Sequence, residues 1–195
     1  MNSRFLKILF SILFFFIANK NLLALNQNLL DKIDVYLNNL NNITANFIES
    51  SSEGHMTEGI IYLSKPGKLR IEYKKKESPL IVADGKWIHF FDIELNEIQS
   101  VGIKKSPAWI LLKEKVNLNK DFEVKTIKKE LGKIIINISN KDFENINEIK
   151  LVFSSSPIVL KKWIILDSQD IETTVSLTNI KEKQKFNPKT FILLK

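Results

Sequence analysis

Two histidines, a scatter of carboxylates and the serine run at 154–156 are the residues from which a reaction centre would have to be drawn. His55 and His89 are isolated from each other, and neither falls in an H-E-x-x-H or comparable metal-binding spacing. The chain has no cysteine, so the usual zinc sites have no thiolate to build on. His55 reads as a solvated turn residue and His89 as a half-buried strand residue. Glu49, Glu58, Glu72, Asp92 and Glu97 occupy ordinary strand-like positions. Their order in the chain brings no pair to the separation that acid–base catalysis requires. Ser154, Ser155 and Ser156 lead into Pro157 and make a turn, with no G-x-S-x-G elbow and no glycine-rich phosphate loop. The expectation is a protein that is not an enzyme, with no catalytic residue, no metal and no cofactor.

What the sequence does supply is apolar surface in strand-like register. From Ile60 to Tyr73, alternation puts Ile61, Leu63, Leu69, Ile71 and Tyr73 on one face and Arg70 and Glu72 on the other. Taken alone, that is an ordinary core-facing side. The next strand is different, because Trp87, Ile88, Phe90 and Phe91 make it apolar on both faces, so both sides of that region need cover. A sheet that curls around a cavity with helices over its mouth satisfies this. A hydrocarbon chain of about fourteen methylenes in such a cavity gains on the order of 11 kcal/mol gross, at about 0.8 kcal/mol per buried CH₂, without any polar anchor.

The elements that position this surface are legible from periodicity. Leu29, Leu30, Ile33, Leu37 and Leu40 recur at helical spacing, opposite Asp31, Lys32 and Asp34, and predict one amphipathic helix over 26–41. From Ile43 onward, short runs rich in Ile, Val, Phe and Tyr alternate with turn residues. Strands are predicted near 44–50, 57–64, 68–74, 79–83, 86–92 and 96–101. A second set is predicted near 121–129, 132–139, 147–153, 158–167, 171–179 and 190–194. Most connections are short, which argues for an antiparallel meander. Lys65-Pro66-Gly67 and Asp84-Gly85 are the clearest turns, the latter a type I′ hairpin candidate. One interruption, 106–114, reads as a second short helix, with Ser106 as N-cap, Pro107 in the first helical position and Trp109, Ile110, Leu111 and Leu112 following.

Ends and composition bound the rest. Arg4 and Lys7 precede an apolar run from Ile8 to Ala18, a polar break and Ala24, the layout of a secretory leader spanning 1–24. That run is about half the roughly 20 residues a membrane-spanning helix needs. The expected mature part, 25–195, suits a single domain, and no linker, repeat or composition shift divides it. Without cysteine its stability comes from packing, and it offers no site for the cysteine acylation of lipoproteins. The formal charge of +7 falls by three when Arg4, Lys7 and Lys20 leave with the leader. Nearly all of the remaining excess is lysine, Arg70 being the one arginine after the leader, so nucleic acid is not an expected partner.

Several local patterns together resemble the LolA-type periplasmic carriers of outer-membrane lipoproteins. Ala45-Asn46-Phe47-Ile48-Glu49 resembles the family's A-x-F-x-Q strand, with Glu49 where glutamine is usual. The run from Gly59 to Tyr73, through Lys65-Pro66 and Leu69-Arg70-Ile71, resembles its G-x-L-x-x-x-R-P-x-x-F-R-W-x-Y signature. Leu80 to Lys86 followed by Phe91-Asp92 is similar to its I-x-S-D-G-K stretch with a later Y-D. Ser106-Pro107-Ala108-Trp109-Ile110-Leu111-Leu112 is similar to its T-P-x-x-L-L lid helix. The resemblance covers about 40–112; beyond that, Asn179, Pro188 and Phe191 match the family's closing strand.

The resemblance implies an unclosed antiparallel half-barrel, mainly β, covered by short helices around a hydrophobic cavity. It implies a monomeric periplasmic carrier of a Gram-negative bacterium. Such a carrier receives acylated lipoproteins from an inner-membrane ATP-driven extraction complex and hands them to an outer-membrane lipoprotein acceptor. The implied acyl-chain wall is Phe47, Ile61, Leu63, Leu69, Ile71, Tyr73 and Phe91. The implied lid is Leu30, Ile33 and Leu37 of the first helix with Pro107, Trp109, Ile110 and Leu111 of the second. Lys65 stands where the family has an arginine that ties down the lid, and is expected to act as the latch through lid carbonyls near Trp109. Leu69 and Ile71 replace common aromatics, and His89 replaces a frequent tryptophan, its side of the sheet left open. The alternative reading is a periplasmic β-sheet module that binds a protein or glycolipid partner on its surface.

Overall fold

The computed structural model describes residues 26–75 and 78–193, so the predicted leader lies outside it. The amphipathic stretch forms helix α1 over 26–39. Eleven strands follow: β1 Asn42–Ser51, β2 Met56–Ser64, β3 Lys68–Tyr73, β4 Leu80–Asp84, β5 Trp87–Asp92, β6 Glu97–Gly102, β7 Glu123–Glu130, β8 Lys133–Ser139, β9 Ile146–Ser155, β10 Ile158–Asp167 and β11 Glu172–Lys181. They form one antiparallel sheet in the order β6-β5-β4-β3-β2-β1-β11-β10-β9-β8-β7. Every sequence-adjacent pair except β6 and β7 is a hairpin, and β1 pairs with β11 in the middle.

That order decides where the lid must be. β6 and β7 follow each other in sequence yet occupy opposite edges, so the sheet does not close and the segment between them has to cross from one edge to the other. It crosses over the inner face, carrying two one-turn helices, α2 Trp109–Leu112 and α3 Leu118–Asp121. Ile110, Leu112 and Leu118 are buried there in the same apolar cluster as Ile33 and Leu37 of α1. Register breaks at Thr44/Asn46, Val124/Thr126 and Leu160/Lys162 mark bulges. Such bulges bend and coil strands, which wraps a long sheet around its cover.

Alternation does most of the work of choosing faces. Ile134, Ile136 and Ile138 of β8, and Ile149, Leu151 and Phe153 of β9, all point inward and are fully buried. The intervening residues of these strands are partly exposed on the outer face.

Three local expectations are corrected. The predicted strand at 190–194 does not form over its described residues, 190–193; a 3₁₀ turn, Pro188–Phe191, stands there, capped by the Asn187 side chain accepting from Lys189 N–H. Phe191 pulls this segment onto the outer face of β3 and β4, packing edge-on against Phe186, which in turn meets Tyr62. The predicted helix at 106–114 shrinks to one turn. Pro107 lies in the preceding turn, where Ser106 Oγ accepts from Ala108 N–H at 3.2 Å, and Lys113 leaves helical geometry. At the β4–β5 hairpin, Gly85 alone has positive φ and the Asp84 carboxylate caps the N–H groups of Lys86 and Trp87. A type I′ turn needs positive φ at both central residues, so this is not one.

Candidate functional site: a lidded apolar wall

The β2–β3 register aligns the expected wall. Ile61 pairs with Ile71 and Leu63 with Leu69, and across β1 and β3 the small Gly59 lies between Phe47 and Tyr73. Phe47 and Tyr73 meet edge to face, ring centroids 5.3 Å apart. Six of the seven expected residues therefore share the inner face. Phe91 does not. It pairs with Leu80 and Ile98 and shares the outer face with Val82 and His89, while Ile88 and Phe90 of the same strand point inward. The strand that reads as apolar on both faces is apolar on both faces, and sequence alone chose the wrong aromatic.

Half of the wall escaped the sequence reading. Val175 and Leu177 of β11, Trp163 of β10, Leu151 and Phe153 of β9 and the β8 isoleucines complete the inner face. Their alternation was visible, but the family resemblance ends before them, and alternation alone does not separate a ligand wall from a core.

The lid fits onto this wall tightly. Leu30, Ile33 and Leu37 of α1, with Leu40 just beyond its end, form one buried stripe, with Ile33 and Leu37 at 0% exposure. Ile110 and Leu111 of α2 are buried beside them, while Pro107 and Trp109 are half-buried at the rim. Lys104 places its ammonium 6.0 Å from the Trp109 ring centre. The lidded end of the wall is thus occupied by the protein's own side chains, not vacant as a preformed cavity would be.

Polar ties hold the cover in place. Lys65 Nζ donates to the carbonyl of Leu37 at 2.7 Å, in the last turn of α1. The expected latch residue therefore grips a lid carbonyl, but in α1 and not near Trp109. The α2 tie comes from the backbone of the same turn, Gly67 N–H donating to Leu112 O at 2.9 Å. The two halves of the lid are also joined to each other. Asn38 exchanges two hydrogen bonds with the backbone of Val116, and Asp34 accepts from Leu118 N–H. Tyr36 OH accepts from Leu160 N–H at 3.0 Å, fixing α1 to β10. Lys113 and Asp121 form an ion pair that closes the α2–α3 connection.

Burial pushes the Lys65 ammonium down to about 8 from its ordinary 10.5. The unfolded chain then holds more protons than the folded one between those two values, so stability rises with pH across that interval. Below about 8 both states carry the charge and the trend stops. We expect wild type to gain thermal stability relative to Lys65→Met between pH 7.5 and 9.5. Parallel melting curves for the two proteins over that range would remove the buried-ammonium account.

The residues that suggested chemistry in sequence lie elsewhere. His89 is on the outer face, its Nδ1 2.8 Å from Ser100 Oγ and its Nε2 3.2 Å from Asp84 Oδ2. Asp84 is the carboxylate that caps the β4–β5 turn, so this chain of contacts braces a hairpin. His55 is exposed beside the β1–β2 turn. Among the described residues no helix is long and apolar enough to cross a membrane.

A sequence profile described as "Outer membrane lipoprotein carrier protein LolA" matches residues 38–193, which takes in all eleven strands, α2 and α3 but only the last residues of α1. This chain belongs to the LolA family. Among its LolA-family relatives, an outer-membrane lipoprotein carrier protein of Legionella pneumophila is 30% identical over 165 residues, covering 80% of each chain. One from Dechloromonas aromatica is 28% identical over 171 residues, covering 83% of this chain and 81% of that one. Among solved structures, a LolA-superfamily protein of Nitrosomonas europaea superposes with a TM-score of 0.53 at 8% identity, over 86% of this chain and 97% of that one. An uncharacterized conserved protein of Thermus thermophilus gives 0.52 at 12% identity, over 85% and 91%. At such identities these structures speak to the fold alone.

Proposed function

We propose that this chain is a periplasmic lipoprotein carrier that shelters acyl chains between the inner face of its sheet and its helical lid. It receives them from an inner-membrane ATP-driven extraction complex and delivers them to an outer-membrane acceptor. The naming of its relatives as outer-membrane lipoprotein carrier proteins supports the role. The observation that carries the mechanism is the cover. A largely apolar wall is closed by a short helix and two single turns, held at the β2–β3 turn by Lys65 on Leu37 and Gly67 on Leu112.

In this reading the lid's own side chains are the stand-in for cargo. Ile33 and Leu37 occupy the apolar space until acyl chains displace them, so what the wall gains from cargo is offset by what it loses from the lid. The balance leaves binding weak enough for handover. The test is energy transfer from the tryptophans to a dansyl-labelled triacylated lipopeptide, together with release of a native lipoprotein from inner-membrane vesicles. Saturable transfer and release into the soluble fraction are expected. Failure of the lipopeptide to bind, in a protein that melts cooperatively, would leave the surface-module alternative in its place.

A further inference from the structure

Among the polar groups of the inner face, two lie on either side of Val175. Trp163 of β10 is 9% exposed, and its indole N–H has no hydrogen-bond partner. Buried N–H groups are nearly always paired, so one with no protein partner calls for an explanation. The second group is Glu49 of β1, half-buried, whose Oε2 accepts from Tyr73 OH at 3.2 Å. Burial raises its pKa, and the Tyr73 hydrogen bond pulls the other way.

The two groups stand in one transverse row. Glu49 pairs with Val175, and Val175 pairs with Trp163, so two strand spacings, about 10 Å, separate their backbones. The row continues into Leu151 on the far side of Trp163 and Thr57 on the far side of Glu49. Phe47 and Leu177 border it on the lid side. A donor and an acceptor thus flank a single valine, with Tyr73 orienting the acceptor. The linkage region of an acyl lipid presents a matching mixture of groups, ester or amide carbonyls joined directly to the first methylenes.

We propose that this pair reads the head end of the cargo: the Trp163 indole donates to an ester or amide carbonyl, and the Glu49 carboxyl accepts from N–H or O–H groups beside it and repels a carboxylate. The inference rests on the carrier reading and adds a ligand class to it. The site takes acyl esters and amides with neutral or cationic heads, and turns away free fatty acids of the same chain length. Glu49 occupies the position where the resembling strand pattern has glutamine, so the repulsion belongs to this chain's own residue. Tyr73 is a positioning residue, acting through Glu49.

Palmitoylglycerol and palmitate, each kept below its micellar concentration, separate the contributions by calorimetry on the mature protein at pH 7.5. Wild type is expected to bind palmitoylglycerol at least about tenfold more tightly than palmitate. Glu49→Gln, which is isosteric, should bring the two ligands within about threefold of each other by strengthening palmitate. Trp163→Phe should weaken palmitoylglycerol by roughly tenfold and leave hexadecanol, which has no carbonyl, unchanged. Cooperative melting of both variants confirms that the fold is kept. Equal affinities in wild type, or an unaltered preference in Glu49→Gln, overturns the inference while leaving the carrier reading standing. Binding of neither ligand, nor of the lipopeptide, overturns both.

Discussion

Ile33→Ala is expected to lose stability and gain cargo affinity at the same time. Ile33 is at 0% exposure in the middle of the α1 stripe, so its truncation removes buried methylenes and leaves a cavity under the lid. Such substitutions cost about 2–5 kcal/mol. At roughly 3 kcal/mol the melting temperature falls by about 6–12 °C in a chain of this size. If acyl chains bind by displacing α1, the same loss comes out of the work of opening. Affinity then rises by as much as roughly 100-fold, since each 1.4 kcal/mol is a factor of ten. A module whose interior is simply its core makes the opposite prediction, because a weakened core has nothing to offer a ligand. The measurement is lipopeptide titration beside thermal melting, and lowered stability with unchanged or weaker binding would sink the displacement mechanism.

A lid residue is the right place for this test because a wall residue confounds it. Leu69 lies 5% exposed beneath the lid, and a carboxylate placed there would be buried without a partner. Loss of cargo binding in Leu69→Glu would then be inseparable from loss of the fold. Truncating Ile33 leaves the wall intact and alters only what covers it.

The sequence made the strands legible because one physical signal, alternation, dominates each of them. Eleven of the twelve expected strands form within a few residues of the expected limits. The twelfth failed at 190–194 because Phe191 finds a partner in Phe186 on the outer face, and a tertiary contact of that kind leaves no period in the chain. Lys65 as a tie to the lid was legible from the resemblance, but its acceptor was not. The choice between a carbonyl of α1 and one near Trp109 depends on how two lid pieces share the mouth, and only the packing of Leu37 under the β2–β3 turn decides it. Phe91 shows the same limit from the other side. In a strand apolar on both faces, which aromatic points inward is set by register with β4, where Ile81 faces Phe90.

Gly59→Ala is expected to destabilise the protein by on the order of 3 kcal/mol, although it adds a single methyl group to a strand. Gly59 lies on the inner face between Phe47 and Tyr73. A Cβ built there overlaps the backbone carbonyl of Glu72 on β3 and comes within 2.7 Å of Phe47 Cε1. A carbonyl held in a sheet ladder cannot turn aside as a flexible side chain can, so β2 and β3 would have to separate at this point. The same displacement pushes the Phe47 ring off Tyr73 and disturbs the wall at its centre, so lipopeptide affinity should fall together with the melting temperature. Gly54→Ala provides the contrast. Gly54 has φ of +90° and no atom within 4 Å of a new Cβ. Its cost is confined to backbone strain of about 1–2 kcal/mol, with cargo binding unaffected. If Gly59→Ala proved the milder of the two, the close approach of β2 to β3 would not be what glycine is there to permit, and the wall would owe its shape to something other than the bare backbone at this position.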